Sequence, residues 1–86
     1  MKPEPFKTPI TKEENEQLKS KISIHVGKKI KEIRKNKGLT QQELSEKAGL
    51  HLTYVGHLET GTYHPSVFVL WKIANVLDAL LDDFVK

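Results

Sequence analysis

The chain has 86 residues, 37% of them hydrophobic, with a formal net charge of +3, which suits one small folded domain of modest buried fraction and marginal stability. It has no cysteine, which excludes disulfides and thiolate metal sites, and no apolar run near the ~18 residues of a membrane span. Residues 1–20 carry four Lys and four Glu, residues 21–47 carry eight Lys plus Arg against three Glu, and residues 48–86 carry two Lys against one Glu and three Asp.

The balance is therefore zero, then +5, then −2 along the chain. A positive field on the middle third attracts polyanions. The same lysines also read as a merely solvated helix face. Residues 1–10 lack the apolar core of a secretory signal, and a cytoplasmic location is expected by default.

Pro3, Pro5 and Pro9 lie in an aperiodic stretch that reads as a mobile arm. Thr11-Lys12-Glu13-Glu14 fits a capping box. The polar segment after it, to Lys21, is either a weak extra helix or the start of a longer one. These residues, 1–21, are taken as an N-terminal arm, partly disordered or weakly helical, ahead of a folded domain over 22–86. In that domain Ile22, Val26, Ile30 and Ile33 form an apolar stripe at helical spacing, which predicts a helix over 22–36. Ser23 is a candidate cap for it, and Gly38 ends it.

Thr40 and Glu43 make a second capping box, opening a helix over 41–48 that buries Leu44 and Ala48. Gly49 supplies a left-handed turn. A third helix is expected over 52–60, with Val55 and Leu58 inward, and Gly61 stops it. Residues 61–65 form a loop, and Ser66 caps a fourth helix whose buried face is Leu70, Ile73, Ala74 and Leu77. Asp78 breaks the rhythm, and a short fifth helix from about Leu80 brings Leu81 and Phe84 to the core. Asp82-Asp83 reads as solubilisation. No strand-like alternation occurs, so the fold class is all-α with five helices. Two short helices joined at Gly49 form the unit that places one helix in the DNA major groove.

From Val26 onward the chain resembles the Xre/Cro-type helix-turn-helix family, the fold of phage repressors. The resemblance rests on Val26-Gly27, Ile30, Ile33-Arg34, Gly38-Leu39-Thr40-Gln41, Glu43-Leu44, Ala48-Gly49-Leu50, Tyr54-Val55, Leu58-Glu59, Gly61, Pro65-Ser66, Leu70, Lys72-Ile73-Ala74 and Leu77. It implies a five-helix lambda-repressor-like domain that binds double-stranded DNA and regulates transcription, usually as a homodimer on a palindromic operator. Some restriction–modification controller proteins share the layout, and antitoxins use the same DNA-binding chemistry. A protein-interaction module that has lost DNA binding is the reading from another class.

The resemblance places Gln41 on a phosphate, from the start of the second helix; an exposed first-turn residue is the alternative. It puts Leu52, Thr53 and His57 at base edges, with His51 and Gly56 also outward on the third helix. Leu52 suits a thymine methyl, and His57 offers a single donor where arginine is frequent. Gly56 either lets the helix approach DNA closely or is tolerated. Thr62, Tyr63 and His64 suit phosphate contacts or form an ordinary turn. Lys28, with Lys31, Lys35 and Lys37, is a further phosphate candidate. Arg34 and Glu59 are expected to form a partly buried ion pair that braces the third helix. Tyr54 reads as a packing residue. Phe68 and Trp71 mark either a dimer contact or the edge of the core.

His25, His51, His57 and His64 show no metal-ligand spacing, and no motif supports a nucleophile or a carboxylate pair. Neither a metal, a cofactor, a small-molecule ligand nor an enzymatic activity is expected. Residues 1–21 are open among a groove arm, a dimer brace and a disordered tail.

Overall fold

The computed structural model describes residues 9–86. Residues 1–8 of the arm expected over 1–21 lie outside them. Among the described residues there are five α-helices and no strand. They are α1 (Lys12–Asn36), α2 (Gln41–Lys47), α3 (Tyr54–Glu59), α4 (Val67–Leu77) and α5 (Asp82–Val85).

The largest difference from the sequence reading is the length of α1. It runs unbroken for 25 residues from Lys12, so the division drawn between residues 21 and 22 falls inside a helix. The apolar stripe begins at Ile22, but helicity does not need a stripe. Glu, Gln, Leu and Lys fill the first turns, and all are strong helix formers. The Thr11–Glu14 capping box starts the helix. Residues 11–21 are exposed throughout and extend a molecule measuring 43 × 22 × 19 Å. Ser23 is not a cap. It is buried in mid-helix, and its hydroxyl donates to the Lys19 carbonyl at 2.8 Å.

The core joins Val26 and Ile30 of α1 to Leu44, Val55, Leu58, Ile73, Ala74, Leu77 and Phe84, with Ala48 beside them. Each large apolar side chain buried there contributes about 1.5–3 kcal/mol relative to exposure. α1 packs against both α3 and α5, so it is the spine on which the recognition unit rests.

Helix ends follow local chemistry. Thr40 and Ser66 accept from the backbone N–H groups of Glu43 and Val69. Gly49, with φ of 68°, ends α2, sending the Gly49 N–H to the Glu46 carbonyl and the Leu50 N–H to the Ser45 carbonyl. That is a Schellman closure, which a Cβ at this φ would strain. α4 ends the same way with Asp78 in the left-handed region at φ of 53°. Asp83 does more than solubilise: its Oδ2 accepts from the Leu80 N–H at 2.9 Å and organises the entry to α5.

The capping carboxylates give the fold a sign in pH. The Thr40 backbone N–H, then its hydroxyl, hold the Glu43 carboxyl below the ordinary carboxylate range, and Thr11 does the same for Glu14. A carboxyl held lower in the folded chain stabilises it above the ordinary range. That contribution is lost as pH falls through the folded value. Acidification is therefore expected to loosen the first turns of α1 and α2. The Thr11 and Thr40 N–H groups donate to these carboxyls, so their hydrogen-exchange protection should fall in that window, and Glu43→Gln should remove the α2 component.

Candidate nucleic-acid interface

α3 is only six residues long, too short to hold itself in water. Its position is imposed from outside. The expected start at Leu52 is two residues early, because His51–Thr53 form a turn. The Thr53 N–H donates to His51 Nδ1 at 3.3 Å, and the Thr53 hydroxyl lies 3.0 Å from the same nitrogen. The Thr53 side chain does not cap α3. The cap comes from α2 instead: the buried Ser45 hydroxyl oxygen accepts from the Val55 N–H at 3.2 Å. Sequence reasoning missed Ser45, since no local spacing marks a cap supplied ten residues away. Ser45→Ala would leave a buried donor unpaired, and thermal or denaturant unfolding should show a loss of about 1–3 kcal/mol.

The C-terminal end of α3 is fixed by charge. Arg34 Nε donates to Glu59 Oε2 at 2.6 Å and Nη2 to Oε1 at 3.0 Å, with the two side chains 8% and 2% exposed. Arg34 Nη1 also donates to the Leu39 carbonyl at 2.7 Å, closing the loop between α1 and α2. Gln41 Nε2 donates to Glu59 Oε1 at 2.9 Å. Three segments therefore converge on one carboxylate. Gln41 is exposed, and its amide nitrogen keeps a second N–H for another acceptor.

Gly27 is the second residue whose role the sequence did not reveal. A Cβ there would collide with the Leu58 carbonyl oxygen and sit 2.9 Å from that of Glu59. The absence of a side chain lets α1 touch the backbone of α3. A glycine inside a long helical pattern is the one signal that could have pointed to such a contact. Gly56 is not outward as expected. It is half-buried, and a Cβ on it would meet Gln41 Oε1 at 3.2 Å. Its small size admits the Gln41 amide.

His51, Leu52, Thr53 and His57 are exposed on one side of this braced element, Leu52 at 43%. Beyond α3, the His57 carbonyl accepts from the Thr62 and Tyr63 N–H groups at 3.0 and 3.2 Å. It also accepts from the Thr60 hydroxyl at 3.2 Å. That spends the only Thr60 hydroxyl proton, so the Thr62 hydroxyl is the donor in their 2.9 Å contact. A phosphate bond from Thr62 would have to replace that contact. His64 Nδ1 contacts the Ser23 hydroxyl. Ser23 gives its proton to Lys19, so His64 Nδ1 is the donor there. His64 thus straps the loop to α1. Tyr63 is exposed, its ring centroid 4.6 Å from that of His57 and 5.1 Å from that of Tyr54.

Lys28, Lys31, Lys35 and Lys37 are all exposed. Lys28, Lys31 and Lys35 share a stripe of α1 beside Gly27 and Arg34, the two residues turned to α3. Phe68 and Trp71 are 68% and 60% exposed on α4. They are therefore not the edge of the core. Val67, one turn before Trp71, is 71% exposed, and Lys72 Nζ lies 4.8 Å from the centroid of the Phe68 ring. Among the described residues, no group of three His, Asp or Glu could hold a metal ion, and no helix is long and apolar enough to cross a membrane.

Comparison with known proteins agrees with this geometry. A family model described as "Helix-turn-helix" matches residues 30–84. An HTH-type transcriptional regulator of Archaeoglobus fulgidus is 40% identical over 55 residues, covering 64% of this chain and 79% of that protein. The immunity repressor of Bacillus phage phi105 is 44% identical over 52 residues, covering 60% of this chain but 36% of the repressor. The crystal structure of the restriction–modification controller protein C.AhdI from Aeromonas hydrophila superposes with a TM-score of 0.70 at 32% identity, covering 72% of this chain and 94% of that one. With a braced, outward-facing α3 and a match over most of its folded part, this chain belongs to the Xre/Cro-type helix-turn-helix family of DNA-binding transcriptional regulators.

Proposed function

We propose that the chain regulates transcription by docking α3 and the preceding turn in the major groove of a twofold-symmetric duplex site, as a homodimer. The observation that carries this is the exposed face of His51, Leu52, Thr53 and His57 on an element held from behind by Ser45, Glu59 and Gly27. Leu52 offers apolar contact to a thymine methyl, while Thr53, His51 and His57 offer hydrogen bonds to base edges. Gln41 and Lys28 take phosphates, with Lys31 and Lys35 adding to the field. Thr62 and His64 contribute mainly by shaping the loop. The role is binding; no residue is assigned to catalysis.

The Phe68–Trp71 face of α4 is the surface for the second copy. An exposed aromatic pair with Val67 on the same helix supports this, because burying such a patch is the main drive of association. Dimerisation on that face would set two α3 elements about 34–36 Å apart, one DNA turn. Restriction–modification control is a second reading, supported by the superposition on C.AhdI; it changes the genes controlled and leaves the DNA chemistry unchanged.

The test is selection from a random duplex library, followed by equilibrium binding across salt. The expected result is enrichment of a twofold-symmetric site. If about 6–10 phosphates are neutralised per dimer, log affinity falls with log salt at a slope near −0.9 per phosphate. No enrichment and a slope near zero would instead support a protein-interaction module.

A further inference from the structure

Tyr63 lies in the loop after α3, yet its ring sits against two α3 side chains three residues apart. Its centroid is 4.6 Å from that of His57 with an interplanar angle of 31°, and 5.1 Å from that of Tyr54 at 63°. Both distances fall within the range of favourable aromatic pairs. The ring is held from both directions along the chain. Its own N–H and that of Thr62 bond the His57 carbonyl, and the next residue, His64, is tied to Ser23 of α1. Tyr63 is thus fixed to the same residue through backbone and ring.

Stacking covers a face of an imidazole. The two nitrogens lie on the ring edge, which stacking leaves open. An exposed histidine otherwise samples several rotamers, and ordering a side chain at an interface costs affinity and blurs readout. A histidine pre-ordered against Tyr63 avoids that loss.

We infer that Tyr63 is a specificity-positioning residue: its ring, stacked on His57, aims the imidazole edge at one base pair of each half-site. The inference rests on the major-groove reading above and assigns Tyr63 a job separate from its hydroxyl. A phosphate contact needs the hydroxyl and reads no sequence. A stacking support needs the ring and acts through His57.

The experiment measures binding of the full chain to the duplex selected by the wild type, to every single-base-pair variant of it, and to an unrelated duplex. Thermal midpoints of all variants are recorded. Tyr63→Leu is expected to lower discrimination at one base pair per half-site by about tenfold, with affinity for the unrelated duplex changed less than about twofold. Tyr63→Phe keeps the wild-type profile. His57→Ala flattens the same base pair, and adding Tyr63→Leu to it costs no further discrimination, as expected for residues acting as a unit. In the free protein, the upfield ring-current shift of the His57 ring protons is present in the wild type and in Tyr63→Phe and lost in Tyr63→Leu.

If Tyr63→Phe and Tyr63→Leu weaken all duplexes alike, with no base pair singled out, the hydroxyl–phosphate role holds and the inference is overturned. A wild type that selects a site whose profile Tyr63→Leu leaves intact overturns this inference alone. A wild type that selects nothing overturns the major-groove reading as well.

Discussion

Glu59→Ala is expected to destabilise the folded chain by about 3–5 kcal/mol, because it strands a buried guanidinium. Arg34 is enclosed, and two of its donor groups point at the lost carboxylate. Gln41 loses its partner at the same moment. A small domain holds about 5–15 kcal/mol in total, so a large share of molecules should unfold near physiological temperature. Chemical denaturation of Glu59→Ala, Arg34→Ala and the double variant forms a thermodynamic cycle. The double variant should be less destabilised than the sum of the two, since neither leaves a lone buried charge. Arg34→Met with Glu59→Leu should recover most of the stability. It should not recover full DNA affinity, because the carboxylate also positions Gln41. Recovery of both would mean that the ion pair acts on stability alone.

Gly27→Val is expected to be the most damaging substitution at a single glycine. The added atoms would enter the space of the Leu58 and Glu59 carbonyls, which are backbone and have no rotamer to change. Forcing bulk into such a contact costs about 1–3 kcal/mol or more. The damage is directional, since α1 and α3 must move apart at the C-terminal end of the recognition element. Arg34 and Glu59 lie next to that opening. DNA affinity should therefore fall more than stability alone explains, a difference visible when binding is measured well below the unfolding temperature. Gly27→Ala should show the same effect in smaller degree. Gly56→Ala is the control, since the Cβ there meets only a flexible amide at 3.2 Å. It gains about 1 kcal/mol of helix propensity against a shift of Gln41.

Much of the fold was legible because helix ends carry local chemistry. Thr11 with Glu14, and Thr40 with Glu43, announce their helices by spacing alone, and both boxes form. Gly49 and Gly61 mark the stops around the recognition unit. The stripe from Ile22 to Ile33 faces the core side of α1, with Val26 and Ile30 buried. What escaped notice depends on chain segments meeting in space. Ser45 looks like any polar residue on a short helix until Val55 is placed against it. Gly27 looks like a weak point until α3 is laid across it. Gly56 looks outward until the Gln41 side chain of α2 is placed against it. The length of α1 stays open in the sequence, between a separate weak helix and the start of a longer one, because a projecting helix carries no apolar stripe to decide it.

The candidate site divides the same way. Exposure of His57 follows from which α3 residues face the core, and that of His51, Leu52 and Thr53 from the turn that precedes it. The spent protons of Thr62 and His64 follow only from counting donors around Thr60 and Ser23. That count moves the loop from a set of phosphate ligands toward a frame for Tyr63 and His57.

Backbone amide shifts followed by NMR during titration with the selected duplex show which surface meets DNA. Docking of α3 in the major groove gives perturbations centred on His51–His57, with further changes at Gln41, Lys28 and Tyr63. Perturbations confined to Phe68–Leu80 or to the exposed turns of α1 before Lys21, with α3 silent, would contradict it.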